Sequence, residues 1–347
     1  MQRKVASCFD ACQIGISDAV FLICFFLVSR TLWLNPDLRM TELQLKNARN
    51  LLHRGRAVFA ITCSGLYRTR SQKIVMTTIT RTHLDRLENQ SVFIFREAYH
   101  SFKNIAMPWS MGKDSNVLIW LACKAFFGRV PFPVLHIDTT YEFPEMLEFR
   151  EWARAHYKLN LVVKINEEAR ARGVGYETHD PVTVTHELKT VALQQAMAQH
   201  GWDAFITGIR RDEDPTRAKE RHFSPRNAQF EWDYKDQPPE FWGQFATTAA
   251  KGEHVRVQPL LDWTEVDIWR YIQRENIPIP KMYFAKNGQR YRSLGCSPIT
   301  KPIKSNADTL DAIIAELETT RTSERAGRAQ DHHERNAMQK LRAKGFL

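Results

Sequence analysis

Between residues 104 and 207 the hydrophobic pattern switches period again and again, and this constrains the fold more than any other feature of the chain. Residues 104–109 form a short apolar run. After a polar loop, Leu118, Leu121, Ala122 and Ala125 fall at i, i+3, i+4 and i+7, one face of a helix. Residues 133–137 are a second strand candidate, followed by a helix carrying Met146, Phe149 and Ala153. Residues 159–165, rich in β-branched side chains, are the third. A helical stretch over 188–197 leads to the fourth, 204–207. Strands interleaved with helices predict an α/β fold, a mostly parallel sheet flanked by helices.

Each strand candidate ends just before a polar or glycine-bearing segment. These are Ser110-Met111-Gly112-Lys113-Asp114-Ser115, then Asp138-Thr139, then Gly208-Ile209-Arg210-Arg211-Asp212-Glu213. Open α/β sheets bind ligands beyond the carboxyl ends of their strands, so the three segments should converge. The first follows a strand and precedes a helix, the setting in which backbone N–H groups hold an anion. Gly112 permits a tight backbone, Lys113 brings charge, and Ser110 and Ser115 bring hydroxyls. It is not a Walker loop, because position 107 is Met and Lys113 is followed by Asp. A dinucleotide fingerprint is missing too, since Thr178 stands where a third glycine should follow Gly173 and Gly175. The plainer reading of the hexamer is a polar turn that caps a helix.

The first 75 residues differ from the rest. They carry 11 Lys and Arg against 4 Asp and Glu, so most of the net charge of +10 lies there and no general polyanion surface is implied. The apolar run over 19–28, preceded by Arg3 and Lys4, is too short to span a bilayer, which needs about 20 apolar residues. No clear cleavage site follows it. Residues 1–75 are expected to be an extended start or a poorly ordered leader, with Met76 the natural beginning. A membrane leader is the less favoured reading. Helical spacing then runs over 77–102. Cys8, Cys12, Cys24 and Cys63 also lie in this leader. Cys123 and Cys296, in the remainder, make no metal pattern and read as free thiols in a reducing cytoplasm.

Beyond Arg221 the chain is rich in proline and tryptophan. Trp232, Trp242 and Trp263 read as core or interface residues. Thr264 is a candidate N-cap for a helix through Glu275 with Ile268, Tyr271 and Ile272 inward. Leu310, Ile313, Ile314 and Leu317 mark a last amphipathic helix before a charged tail with His332-His333. The expected organisation is a leader (1–75), a nucleotide-binding core (76–222), and a helical or irregular C-terminal extension (223–347) that completes the site.

The hexamer Ser110–Ser115 resembles the pyrophosphate loop, Ser-x-Gly-Lys-Asp-Ser, of the adenine nucleotide alpha-hydrolase-like proteins. These include ATP pyrophosphatases, adenylylsulfate and phosphoadenylylsulfate reductases, and small subunits of the two-subunit bacterial sulfate adenylyltransferase. Further stretches resemble the last branch in order and spacing: Leu135-His136-Ile137-Asp138-Thr139, Arg210-Arg211-Asp212-Glu213, Arg217-Ala218-Lys219-Glu220-Arg221, Leu294-Gly295-Cys296-Ser297-Pro298 and Thr322-Ser323-Glu324-Arg325-Ala326-Gly327-Arg328. The similarity runs from about Thr80 to the C-terminus. Two departures stand out: Thr140 takes a position often held by glycine, and only residues 285–291 separate Phe284 from Arg292, where the family carries an insertion.

The resemblance implies that ATP and sulfate give adenylyl sulfate and pyrophosphate in sulfate assimilation, with Mg²⁺ accompanying ATP and a large GTPase subunit as partner. No nucleic acid or membrane partner is expected, and the cytoplasm is the expected location. Lys113 and the loop residues Ser110, Gly112, Asp114 and Ser115 would hold the nucleotide. Arg210, Arg211 and Arg217 would hold sulfate or the α-phosphate, because guanidinium forks suit oxyanions. Asp114 could instead cap the helix, and Asp138 could approach the ribose or adenine or be structural. Cys296 lacks the second cysteine three residues on that a cluster would need, so no iron–sulfur cluster is expected. The cluster of Arg321, Glu324, Arg325 and Arg328 reads as a surface ion network, a closing segment or a partner contact. A reductase-like or other adenylating enzyme, and an ATP-binding subunit without turnover, are the competing functions.

Overall fold

The computed structural model of the chain describes residues 81–322 and Glu324. The expected leader with its apolar run and four cysteines, and the tail with Arg325, Arg328 and His332-His333, lie outside the described residues. Helix α1 (His83–Ser101) opens on a capping box. The Thr82 hydroxyl accepts from the Asp85 N–H at 3.2 Å while the Asp85 carboxylate accepts from the Thr82 N–H at 2.9 Å.

Strand β1 (Ile105–Pro108) feeds α2 (Lys113–Ala125), and β2 (Val134–Ile137) feeds α3 (Pro144–His156). Strand β3 (Leu161–Lys164) is followed by the short helices α4 (Glu167–Ala171) and α5 (Pro181–Thr185). A π-helical segment (His186–Val191) continues α5 into α6 (Ala192–His200), which leads to β4 (Ala204–Ile206). All four strands coincide with the sequence expectation. So does α7 (Glu265–Glu275), capped by Thr264 and with Ile268, Tyr271 and Ile272 buried, and so does α8 (Leu310–Thr319).

Two strands were not legible in the sequence, β5 (Phe223–Arg226) and β6 (His254–Val257). They complete a six-stranded sheet of order β3-β2-β1-β4-β6-β5, parallel except for β5, which runs antiparallel to β6. The expected boundary at 222/223 falls inside this sheet, with four strands before it and two after it. One of their two buried faces is polar, which hid them, while Phe223, Val255 and Val257 on the other join the main core. Arg226 forms an ion pair with Glu220 at 3.1 Å, both side chains 1% exposed, and His254 and Arg256 are equally enclosed. Pro225 is tolerated because β5 is the sheet edge.

Alternation along the strands divides the core into two layers. Ile105, Met107, Val134, Ala204 and Ile206 face the larger cluster with α1, α2, α7 and α8. Ala106, Leu135 and Phe205 face the other, covered by Leu193, Ala196 and Met197 of α6. From β1 the chain proceeds to β2 on one side, whereas β4 pairs with β1 on the other. The topological switch point thus lies between β1 and β4, where the 110–115 loop and the residues after Ile206 emerge together.

The two departures from the family pattern have structural counterparts. Residues 286–289 close as a two-residue hairpin turn, with Asn287 at φ 55° and Gly288 at φ 74°, ahead of β7 (Gln289–Arg290), which pairs with β8 (Ile303–Lys304). Thr140 sits at φ 66°, a left-handed conformation that a β-branched residue adopts at a cost and glycine does not. Among the described residues no helix is long and apolar enough to cross a membrane.

Candidate active site

The loop between β1 and α2 is tied down from three sides. Asn116 accepts from the Trp109 indole N–H at 2.9 Å and donates to the Met111 carbonyl at 3.0 Å. Ser115 donates to the Gly112 carbonyl at 3.0 Å, and its hydroxyl lies 3.3 Å from that of Ser110. The buried Tyr283 hydroxyl accepts from the Lys113 N–H at 2.8 Å. Met111 holds φ 60° to make the turn. A Cβ added at Gly112 would come into ordinary van der Waals contact with the Ser110 hydroxyl at 3.4 Å and the Tyr283 hydroxyl at 3.5 Å.

This loop forms one wall of a cavity of about 230 Å³, much larger than the space of a single water. Ser110, Gly112, Lys113, Asp114 and Ser115 line it, together with Ile137 at the end of β2 and Gly208, Ile209 and Glu213 after β4. The first and third strand-end segments therefore converge, whereas of the second only the preceding Ile137 reaches the lining and Asp138 and Thr139 do not. Arg217 also lines the cavity, paired with Glu213 and with its Nε unpartnered. Sequence reasoning did not single out His136, Lys189, Thr190, Thr207 or Tyr283, which complete the lining among others. Lys189 and Thr190 belong to the π-helical segment, an irregularity that often marks a functional site and that no local pattern announces.

Lys113 and Arg210 sit in a closed network. The Lys113 ammonium is 3.0 Å from Asp114 and bonded to Glu324. Arg210, fully buried, donates to Asp114 at 2.7 Å, to Asp212 at 2.6 Å and to Glu324. Burial opposes the charge on Lys113, but the Asp114 and Glu324 carboxylates outweigh it and hold its pKa above the ordinary ammonium value. For Arg210 the same balance, with Asp114, Glu324 and Asp212, raises its pKa as well. Glu324 is the reverse case: burial favours its neutral form, yet Lys113 and Arg210 keep it below the usual carboxylate range. Burial pushes Asp212 up despite Arg210.

Glu324 is thus no surface ion pair. It bridges both cations from beyond α8, while Arg321 is exposed. Asp114 neither caps the helix nor stands free; it joins Lys113 to Arg210.

Three expected site residues are not among those that line the cavity. Arg211 turns away from it, bonding to Asp262 and, at 3.2 Å, to the Glu220 carbonyl. Asp138 is engaged structurally, accepting from the Thr140 N–H at 2.8 Å and from Arg150 at 3.1 Å. Arg210 stands behind the lining, reached through Asp114. Cys123 and Cys296 are both free thiols, and Cys296 is buried with its sulfur 3.3 Å from the Thr139 hydroxyl. Trp263 is buried, Trp232 half-buried and Trp242 exposed.

A family model described as the phosphoadenosine phosphosulfate reductase domain matches residues 104–302. Sulfate adenylyltransferase subunit 2 of Mesorhizobium japonicum is 46% identical over 300 residues, 78% of this chain and 100% of that protein. The protein of the same name from Brucella abortus is 44% identical over 296 residues, 77% of this chain and 99% of its own length. A crystal structure of phosphoadenylyl-sulfate reductase from Candida auris is similar at 18% identity, with a TM-score of 0.40, covering 57% of this chain and 88% of that one.

Proposed function

The chain belongs to the sulfate adenylyltransferase subunit 2 family, and from that premise we propose that the cavity at the β1–β4 switch point is where ATP and sulfate react. The enzyme is a nucleotidyltransferase of sulfate assimilation. One observation carries the placement: the 110–115 loop with Lys113, and Arg217 from the segment after β4, line one cavity.

In the reaction a sulfate oxygen attacks the α-phosphorus of ATP. A P–O bond to sulfate forms, the bond from the α-phosphorus to the bridging oxygen breaks, and pyrophosphate leaves with its magnesium. Sulfate carries no proton at neutral pH, so no base is needed, and catalysis rests on holding two anions together. The N-terminus of α2, the loop hydroxyls and Lys113 would take the β- and γ-phosphates and the charge that develops on them. Arg217, which lines the cavity and has an unpartnered Nε, would hold sulfate with its guanidinium. Arg210 would act through Asp114 and Glu324, keeping Lys113 oriented rather than touching substrate.

Among the described residues no three His, Cys, Asp or Glu side chains come together to hold a metal. The Mg²⁺ would therefore arrive with ATP, held by phosphate oxygens, water and a carboxylate such as Asp114. Its chemistry there is to neutralise the leaving pyrophosphate. A thiol-based reduction has less support, since among the cavity's lining residues there is no cysteine.

A subunit 2 works beside another subunit; we take this to be a large GTPase whose hydrolysis drives the unfavourable equilibrium. The test is sulfate-dependent ATP–pyrophosphate exchange by the assembled complex. Exchange is expected in the parent and lost in Lys113→Ala. Exchange that is independent of sulfate, or that survives the substitution, overturns the reading.

A further inference from the structure

β2 carries His136 into the cavity wall, where it is 2% exposed. Its Nδ1 lies 3.2 Å from the Trp109 carbonyl oxygen, immediately before the phosphate loop. A carbonyl only accepts, so Nδ1 bears the hydrogen and donates it, and Nε2 is left as a bare acceptor. Burial also lowers the His136 pKa, which keeps the ring neutral. That Nε2 has no hydrogen-bond partner, and neither do the hydroxyls of Thr190 and Thr207, 2% and 4% exposed in the same wall. A buried polar atom left unpaired costs roughly 1–3 kcal/mol. Three of them around one cavity indicate that the partner comes from the ligand.

The tautomer decides which part of the ligand. Triphosphate and sulfate are ionised and offer only acceptors, which a bare imidazole nitrogen cannot use. A metal would suit it, but among the described residues there is no cluster to share one. The nucleoside does offer donors, in the 6-amino group of adenine and the ribose hydroxyls. Leu135, Ile137 and Leu193 supply apolar lining in the same cavity, as a base requires.

Resting on the reading of the cavity as an ATP site, we propose that His136 Nε2 accepts a hydrogen bond from the nucleoside of ATP, with the Thr190 and Thr207 hydroxyls completing the recognition. His136 is then a specificity residue. It selects against nucleotides that lack a donor at the position facing Nε2.

The experiment measures dissociation constants of the magnesium complexes of ATP, inosine triphosphate, 2′-deoxy-ATP and 3′-deoxy-ATP for the full-length chain assembled with its partner subunit. Inosine triphosphate replaces the amino donor by an oxygen acceptor, and the deoxy analogues each remove one hydroxyl. At least one analogue is expected to bind about 10-fold or more weakly than ATP, the loss a buried unpaired acceptor produces. The analogue that fails identifies the donor, and His136→Phe should erase that difference. If ATP binds and all three analogues bind equally well, or if the preference survives His136→Phe, the proposal is wrong while the ATP site stands. If ATP does not bind at all, the functional reading itself has failed. Equal binding of all four nucleotides by the unaltered protein refutes the proposal even if the variant does not fold.

Discussion

Replacing Glu324 by Gln tests the idea that the segment beyond α8 is anchored at the phosphate loop. The change removes one negative charge and keeps the shape. The carboxylate accepts from Lys113 and from Arg210, both nearly inaccessible to water. Without it, two buried cations share Asp114 and Asp212 alone. A charge-assisted bond contributes about 1.5–3 kcal/mol, and removing one partner of a buried pair costs about 3–5 kcal/mol. The amide oxygen can still accept one bond, and Asp114 still touches both cations, so the expected loss is about 2–4 kcal/mol. The pH dependence follows from the lowered pKa of Glu324. A carboxylate depressed on folding contributes its full stability above its unfolded pKa of about 4.3 and loses that contribution as pH falls toward the folded value. The parent should therefore exceed the variant by a constant margin from pH 6 to 8, and the gap should narrow below about pH 4.3. Urea unfolding followed by tryptophan fluorescence measures both. A gap under about 0.5 kcal/mol at neutral pH, the size of an ordinary surface substitution, would refute the anchoring.

Thr140→Gly should stabilise the protein by about 0.5–1 kcal/mol. The left-handed conformation costs an L-residue about 1–2 kcal/mol, of which glycine's extra unfolded-state entropy returns part. A lower midpoint in thermal unfolding would contradict this. His254 is enclosed with both ring nitrogens unpartnered, and burial, with Arg256 and Arg226 nearby, pushes its pKa down to about 2. Its unfolded form gains a proton below about pH 6.5 while the folded form does not, so stability is complete above that pH and declines beneath it, by about 1.4 kcal/mol at pH 5.5. In His254→Phe that slope between pH 7 and 5 should shrink; an unchanged slope assigns the acid sensitivity elsewhere.

The parallel half of the sheet was legible because its strands are apolar and its helices amphipathic. Leu118, Leu121, Ala122 and Ala125 read directly as a buried helical face. β5 and β6 were not, because Arg226, Arg256 and His254 put charge and polarity where a buried strand normally shows neither. The phosphate loop could be read as a contiguous motif, but its supports come from far away in the chain: Tyr283 reaches Lys113 from 170 residues on, and Glu324 from 211. Adjacent arginines also look alike in sequence. Only the fold separates Arg210, behind the loop, from Arg211, which faces Asp262. His136 was hidden for a related reason, since its significance lies in the Trp109 carbonyl that fixes its tautomer.

The central claim is that the 110–115 loop seats the triphosphate. A crystal structure of the assembled enzyme with a non-cleavable ATP analogue, α,β-methylene-ATP and Mg²⁺, tests it directly. The β- and γ-phosphates should lie over the N-terminus of α2 within hydrogen-bond reach of Lys113 and the loop hydroxyls, with the α-phosphorus open toward Arg217. A nucleotide bound elsewhere, or one whose phosphates point away from that loop, would contradict the account.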